Sequence, residues 1–237
     1  MLTINGIDIS KFNAKIVDRI IESNEVITVD DWLDGALEPI FIRQNEKFKN
    51  ITIRVLIESR TEEETYNKFS KLTSELKKSI LKFNDMKLTF KGTLIGAVSP
   101  IRIKPGVFDV EYKIKCSHGI GEEIEYKKAD GDTNKTFSIN NIGTANTPCI
   151  IEIIPTIDIV KLSLTGFSDK AIVLNDIKKN IVVKIDGESK RVLYGDKDGF
   201  AKFEGWSFPY IKSGANNLTV DNSAGYELKV KYKPRFI

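Results

Sequence analysis

Histidine and cysteine are scarce in this sequence. Its 237 residues contain one histidine, His118, and two cysteines, Cys116 and Cys149. A single histidine excludes the sites that need two or three imidazole ligands, such as those of common zinc hydrolases and of iron facial triads. Two cysteines allow one disulfide at most, which is little for a chain of this length, so we expect a protein made in a reducing compartment.

Long apolar runs are missing as well. No run approaches the ~20 apolar residues that a membrane-spanning helix needs, and the first residues lack the basic segment and apolar core of a signal peptide. The 36 basic and 33 acidic residues nearly balance, and lysines alternate with acids along the chain. Because phosphate binding needs concentrated positive charge, we expect neither a membrane nor sequence-specific nucleic acid as a partner.

Residue patterns that carry chemistry are also few. Cys116 and His118 would share one face of a strand, but Cys116 ends an alternating strand, where a buried side chain is expected. Asp196 and Asp198 begin like a calcium loop that then lacks its remaining ligands. There is no glycine-rich phosphate loop and no G-x-S-x-G elbow. We therefore expect no enzyme, with no catalytic residue, no metal site and no cofactor.

Strand periodicity dominates the first half of the sequence. Apolar and polar residues alternate from Leu2 onward, and Asn5 followed by Gly6 is typical of a tight hairpin turn. Similar strand patterns run through residues 16–29 and 51–57. These patterns predict several strands, each with one face in a core.

One segment has helical periodicity instead. Thr61 followed by three glutamates is a helix-capping signal, and lysines lie near the other end of the segment. Apolar side chains follow one another at steps of three and four residues: Tyr66, Phe69, Leu72, Leu76 and Ile80. The pattern predicts one helix over about residues 61–82, whose apolar stripe covers a sheet.

Short apolar runs separated by turn residues fill the second half of the chain, and none has helical spacing. Many short strands within about 100 residues are typical of a β-sandwich. A polar stretch, residues 127–134, precedes them and contains almost nothing that a core would bury. We therefore predict two domains, residues 1–130 and 131–237.

An aromatic cluster is the remaining candidate for a binding site. Residues 203–210 include Trp206 and Tyr210, and flat rings of this kind contact sugars in lectins with a sandwich fold. The alternative is that most of this cluster closes one end of the sandwich core. Trp206 and Tyr210 are therefore candidate contacts for a glycan or a protein partner.

Motifs along almost the whole chain resemble the distal tail protein of phages with long, non-contractile tails, or a prophage relative. The order and spacing of the motifs carry the resemblance more than any one of them does. They are residues 2–6 with 8–10, the strand at 54–57 followed by the helical segment at 62–83, residues 141–148 with the run at 150–153, and residues 208–209 with 213–220 and 230–236.

The resemblance implies a mainly β protein. Its N-terminal domain would be a β-sandwich-like ring domain with one α-helix, and its C-terminal domain a galectin-like or carbohydrate-module-like β-sandwich. Sugar binding by galectins depends on a histidine in the sandwich, whereas His118 precedes the predicted second domain. The galectin sugar site is therefore not expected here.

A structural role in the virion follows from the same resemblance. Distal tail proteins form a hexameric ring, the baseplate hub, that joins the tail tube protein to the tail-tip protein and lets DNA pass. The expected location is the virion tail tip, after synthesis and assembly in the cytoplasm of the bacterial host. A receptor-binding protein or a cell-wall glycan is a further expected partner of the second domain.

In a ring of identical chains, one surface of each copy contacts a different surface of the next copy, and edge strands can supply such surfaces. The candidate interface residues lie in two extended segments and are Ile16, Val29, Ile51 and Ile57. The alternative function is a non-catalytic glycan-binding module of a bacterial or phage surface, which would act as a monomer.

Overall fold

The computed structural model describes residues 1–35, 37–130, 135–205, 207–221 and 225–237. The protein is mainly β, with one α-helix among the described residues, which confirms the predicted fold class. The chain divides into two compact units, residues 1–120 with Ile237, and residues 121–236. No helix in the described ranges is long and apolar enough to cross a membrane.

The first unit contains ten strands, an α-helix and a short 3₁₀ helix at Ile9–Phe12 among the residues that the structure describes. The helix, α1, spans Glu62–Leu76. The strands are β1 Leu2–Ile4, β2 Ile7–Asp8, β3 Ala14–Ile21, β4 Val26–Asp31, β5 Ile40–Glu46, β6 Lys49–Glu58, β7 Lys78–Phe83, β8 Thr89–Ile95, β9 Ile101–Lys104 and β10 Val107–Ile120.

One antiparallel sheet organises this unit, in the order β2-β1-β7-β8-β10-β6-β3, with β9 added to β10. Helix α1 packs its buried side chains, Thr65, Phe69, Leu72 and Leu76, into the core formed by one face of the sheet. The Thr61 hydroxyl accepts a hydrogen bond from the Glu64 backbone N–H at 3.2 Å, which confirms the predicted cap. The other face of the sheet is mostly exposed.

The helix ends earlier than the sequence predicted. It stops at Leu76, and the residues expected to form its last turns are strand β7. Ser79, Leu81 and Phe83 alternate into the core, while Ile80 is exposed. The prediction of helix to residue 82 was wrong because Ile80 fits a helical stripe as well as a strand, and pairing of β7 with β1 and β8 decides between them.

The first predicted turn is confirmed. Strands β1 and β2 form a hairpin through Asn5 and Gly6, which both have positive φ, 51° and 80°. Two such residues define the type I′ turn, whose twist matches that of the strands it joins.

Strands β4 and β5 form a separate two-stranded hairpin outside the main sheet. The predicted strand pattern of residues 16–29 is thus divided between β3, at the edge of the main sheet, and β4, in this hairpin. The break falls at residues 22–25, where Asn24 is buried.

The second unit consists of short strands and a 3₁₀ helix at Phe200–Lys202. The strands are β11 Ile124–Lys128, β12 Thr136–Asn141, β13 Thr147–Pro155, β14 Ile159–Thr165, β15 Ile172–Ile177, β16 Val183–Asp186, β17 Arg191–Tyr194, β18 Lys197–Asp198, β19 Phe203–Glu204, β20 Tyr210–Ile211, β21 Gly214–Val220, β22 Tyr226–Tyr232 and β23 Arg235–Phe236.

Two sheets make the predicted sandwich. One has the order β11-β22-β13-β16-β17-β18, and the other has the order β12-β21-β14-β15-β19. Alternate residues of β13, such as Ile151 and Ile153, and alternate residues of β15, such as Ile172 and Leu174, meet in one apolar core. The strands therefore bury one face each, as the alternating sequence requires.

The boundary between the units lies at residue 120, not after the predicted Asp130. The polar segment that suggested a linker contains β11, which pairs with β22 of the second unit. Tyr126 of β11 stacks on Phe137, with ring centroids 4.6 Å apart, and the Lys128 ammonium lies 5.0 Å from the Tyr226 ring. The strand was missed because its buried lysine reads as a surface residue.

Candidate interaction surfaces

The two cysteines are free thiols inside the two cores. Burial raises the pKa of Cys116 to about 11 and also raises the pKa of Cys149. Both side chains therefore remain protonated at neutral pH. A buried, protonated thiol is a packing residue, which fits the interpretation of Cys116 drawn from its place in a strand.

Acids that are clustered in the sequence accept hydrogen bonds from the backbone or pair with lysines. The Asp198 carboxylate accepts a hydrogen bond from the Phe200 N–H at 3.1 Å, and Glu125 lies 3.0 Å from Lys127. Among the described residues, no group of three or more His, Cys, Asp or Glu side chains is placed to hold a metal ion.

An arginine and an aspartate form an ion pair on the mostly exposed face of the first sheet. The Arg54 Nε donates to both carboxylate oxygens of Asp109 at 3.0 Å. Only 10% of the Asp109 side chain is exposed. This hydrogen bonding lowers the pKa of Asp109, so the carboxylate stays charged in acid longer than an isolated one would.

The candidate glycan or partner contacts give a mixed picture. Trp206 lies outside the described residues. Tyr210 is half-buried, and its hydroxyl donates to Asp169 at 2.6 Å, which raises the pKa of Tyr210 to about 12. Phe203 and Phe208 of the same cluster stack with centroids 5.5 Å apart against the sandwich core. An open groove of about 600 Å³ has Lys170 and Glu204 among its lining residues, and Glu204 follows Phe203 directly in the sequence.

Two of the four candidate ring-interface residues are core residues. Ile51 and Ile57 are completely buried in the first unit, and their strand β6 lies between β3 and β10. A strand with neighbours on both sides has no free edge, and these two side chains pack within the unit. Ile16 is half-buried on the edge strand β3, and Val29 is half-buried in the β4–β5 hairpin.

The β4–β5 hairpin carries apolar side chains into solvent. Trp32 is 60% exposed and Leu37 is 97% exposed, at the tip between the two strands. The segment is also acidic: residues 20–42 contain no lysine, arginine or histidine, and the tip carries Asp30, Asp31, Asp34 and Glu38. We call residues 30–35 and 37–40 the acidic tip. The sequence contains this charge asymmetry, but strand periodicity does not reveal it.

The base of the hairpin is fixed to the first unit. The Asn24 side chain donates to the backbone carbonyls of Lys47 and Ser117 at 2.9 and 3.0 Å. Backbone hydrogen bonds also join Glu25 and Lys47, and Glu25 and Phe48, where the chain enters β6. Because these hydrogen bonds involve a buried amide, they fix the position at which the hairpin leaves the first unit.

A groove of about 600 Å³ opens on the outer face of the first sheet, across β7, β8 and β10. Its charged side chains are all lysines, and its apolar wall comes from Phe48 and Ile80. The Lys115 ammonium lies 4.6 Å from the centre of the Phe48 ring. We call this the basic groove; its lining includes Phe48, Lys78, Ile80, Lys91, Thr93 and Lys115.

Residues 141–148, one of the motifs behind the sequence resemblance, form a hydrogen-bonded network in the second unit. The buried Asn141 donates to the Thr147 hydroxyl and the Lys212 carbonyl, both at 3.2 Å, and accepts from the Gly143 N–H at 3.0 Å. The network fixes the start of the long strand β13 against the β20–β21 segment.

A family model matches this half of the chain. Residues 142–236 match the model described as siphovirus-type tail component, C-terminal domain. The resemblance to distal tail proteins that the sequence indicated is thereby confirmed. The chain matches no curated protein sequence at a significant level.

Solved structures share the fold over the whole chain. The crystal structure of the SPP1 Dit protein, described as a paradigm of the hub adsorption apparatus in phages that infect Gram-positive bacteria, aligns with a TM-score of 0.82 and 12% identity. The alignment covers 100% of this chain and 98% of that one. The phage p2 baseplate in its activated conformation, with Ca or with Sr, aligns with TM-scores of 0.53 and 0.52. In both, identity is 12%, and coverage is 97% of this chain and 94% of the other.

Proposed function

We propose that this chain, whose second domain matches the siphovirus-type tail component family, is a distal tail protein that acts as a structural hub of a phage baseplate. The observation that carries the proposal is the likeness of fold over the full length of both chains, this one and SPP1 Dit. A fold is shared by many functions, and the family match to the second domain narrows the choice here.

In this role the first unit forms a homohexameric ring at the virion tail tip. The ring joins the tail tube protein on one side to the tail-tip protein on the other, and the genome passes through its channel. Copies are made and assembled in the cytoplasm of the bacterial host. The near balance of 36 basic and 33 acidic residues supports this role, because a channel for DNA must not hold phosphates.

The proposal is tested by the mass and shape of the purified protein. Light scattering should give a particle of about six times 26.7 kDa, and negative-stain images should show a closed ring with a central opening. A strict monomer at high concentration would overturn the proposal. A structural role also predicts that the purified protein leaves suspensions of bacterial walls turbid, whereas a wall hydrolase would clear them.

A second candidate function is a non-catalytic glycan-binding module. The specific observation in its favour is the open groove lined by Lys170 and Glu204. Glu204 belongs to the same segment, residues 203–210, as Tyr210. A groove with both charged and apolar walls suits the polar rim and the flat face of a sugar.

Binding to intact bacterial walls tests this candidate. Trp206→Ala and Tyr210→Phe should each weaken binding if the aromatic cluster contacts a glycan, and Tyr66→Ala, at an exposed aromatic in the first unit, serves as the control. No binding of the native protein at millimolar sugar would exclude the glycan function. It would leave another baseplate protein as the expected partner of this domain.

A further inference from the structure

The acidic tip exposes large apolar side chains. Trp32, Leu33 and Leu37 are each more than half exposed, and Asp30, Asp31, Asp34 and Glu38 are their neighbours in the sequence. Exposed apolar groups of this kind mark contact sites, because water is released when they are covered. The acids keep the tip soluble and restrict its partners to basic surfaces.

The basic groove has the complementary chemistry. Lys78 and Lys115 supply positive charge, and Phe48 and Ile80 supply an apolar wall. Among its described lining residues there is no carboxylate. An occupant with carboxylates and large apolar side chains would satisfy both parts of this surface.

The hairpin of one chain does not reach the groove of the same chain. Phe48, in the groove wall, follows β5 directly, so the groove lies at the base of the hairpin. The two strands are paired from Val26 opposite Glu46 to Asp31 opposite Ile40, and six strand residues span about 20 Å. The tip is therefore held a full strand length away from its own groove.

We propose that the acidic tip of one copy docks in the basic groove of the next copy, head to tail. This inference rests on the proposed function, because it names the contact that joins neighbours in the ring. The tip and the groove are different surfaces of one chain, so each copy uses both and offers both. A contact of this kind generates a closed ring when the rotation between neighbours is a whole fraction of a turn.

Charge reversal at either surface tests the contact. Lys78→Glu with Lys115→Glu reverses the groove, leaving one lysine against two glutamates, and Asp30→Lys, Asp31→Lys and Asp34→Lys together reverse the tip, leaving three lysines against Glu38. Like charges placed together repel, so each variant should weaken self-association by about 100-fold or more. Lys71→Glu with Lys161→Glu, at exposed positions outside both surfaces, is the matched control and should assemble like the native chain.

Mixing the two variants gives the decisive measurement. A copy with a reversed tip retains a basic groove, and a copy with a reversed groove retains an acidic tip. In an alternating ring every tip meets a groove of opposite charge. We therefore expect two variants that are monomeric alone to form rings together at a 1:1 ratio, measured by light scattering and native mass spectrometry.

The outcomes separate this inference from the proposed function. If the native chain stays monomeric, the ring itself is refuted. If the native chain and both variants form rings with equal affinity, the ring stands and this contact is wrong. If the variants are monomeric but mixing restores nothing, tip and groove do not meet. Circular dichroism of each variant identifies loss of assembly caused by misfolding, and a second pair, with Asp in place of Glu at the groove positions and Arg in place of Lys at the tip positions, then repeats the comparison.

Discussion

Gly92 sets how closely strands β8 and β10 approach in the first unit. It lies opposite Cys116 in the register, and a Cβ atom built on it would come within 2.5 Å of both the Cys116 Sγ and an Ile114 methyl carbon. A side chain at this position has no space unless the core moves. The sequence predicted that Cys116 is buried, but the facing glycine could not be identified, because register is set by contacts between distant segments.

A substitution at Gly92 is therefore expected to destabilise the first unit. Gly92→Val overpacks the core beside Cys116 and should lower the free energy of unfolding by about 1–3 kcal/mol. Urea unfolding followed by circular dichroism measures the change. Thr93→Val, at the next and exposed position, is the control, and equal midpoints for the two variants would contradict this account of Gly92.

Because of the ion pair between Arg54 and Asp109, the stability of the folded chain depends on pH. The pKa of Asp109 is lowered in the folded chain, so its contribution is complete above the unfolded value and is lost as the pH falls through the folded value. The difference in stability between the native chain and Asp109→Asn should be largest near neutral pH and should shrink below pH ~3.8. Urea titrations at pH 7 and pH 3 measure it, and a difference that does not change with pH would contradict it.

The periodicity of the sequence predicted helix α1 but did not predict strand β7. The start of the helix, its cap and its buried stripe follow from residues 61–76 alone. The switch to strand after Leu76 depends on pairing with β1, whose residues lie more than seventy positions earlier in the chain. Local sequence contains the helical signal but not this competing long-range pairing.

The β4–β5 hairpin is the element whose role could least be predicted. Part of strand β4 lies in the strand pattern predicted for residues 16–29, yet the position of the hairpin outside the main sheet follows only from the structure. The candidate Val29 lies in it, whereas Ile51 and Ile57 turned out to be core residues. Alternation alone does not distinguish an edge strand from a central one, because both bury every second residue.

Removal of this hairpin should leave the fold of the first unit intact. Val26 pairs with Glu46, so an Asn-Gly turn can replace residues 27–45 and close the two strands directly. Because nearly all of the removed side chains are exposed, the melting temperature should change by less than about 4 °C. Self-association should be lost. A large fall in melting temperature would show that the hairpin supports the core.

The class of the whole molecule was predicted correctly. Its two compact units divide after residue 120, ten residues before the boundary that the polar stretch suggested. Residues 121–130 contribute Tyr126 and Lys128, which lie against Phe137 and Tyr226. Composition placed them in a linker because lysines and acids outnumber apolar residues there. The residues of a polar strand do not show which other strand pairs with it.

Two segments of the chain distinguish the boundaries. Residues 121–236 contain a complete sandwich core and should unfold cooperatively on their own. Residues 131–236 lack β11, lose the Tyr126–Phe137 stack and leave an edge of β22 unpaired, so they should be less stable by about 2 kcal/mol or more. Thermal unfolding of both segments measures the difference, and equal stability would return the boundary to Asp130.

The edge strand β3 carries a bulge, where its register with β6 shifts between Ile16 and Asp18. A free edge is a template on which any extended chain can add, and a bulge spoils that template by twisting the strand and interrupting its hydrogen bonds. Strand addition at this edge is therefore disfavoured, which lowers the tendency of unassembled chains to grow into fibres through β3.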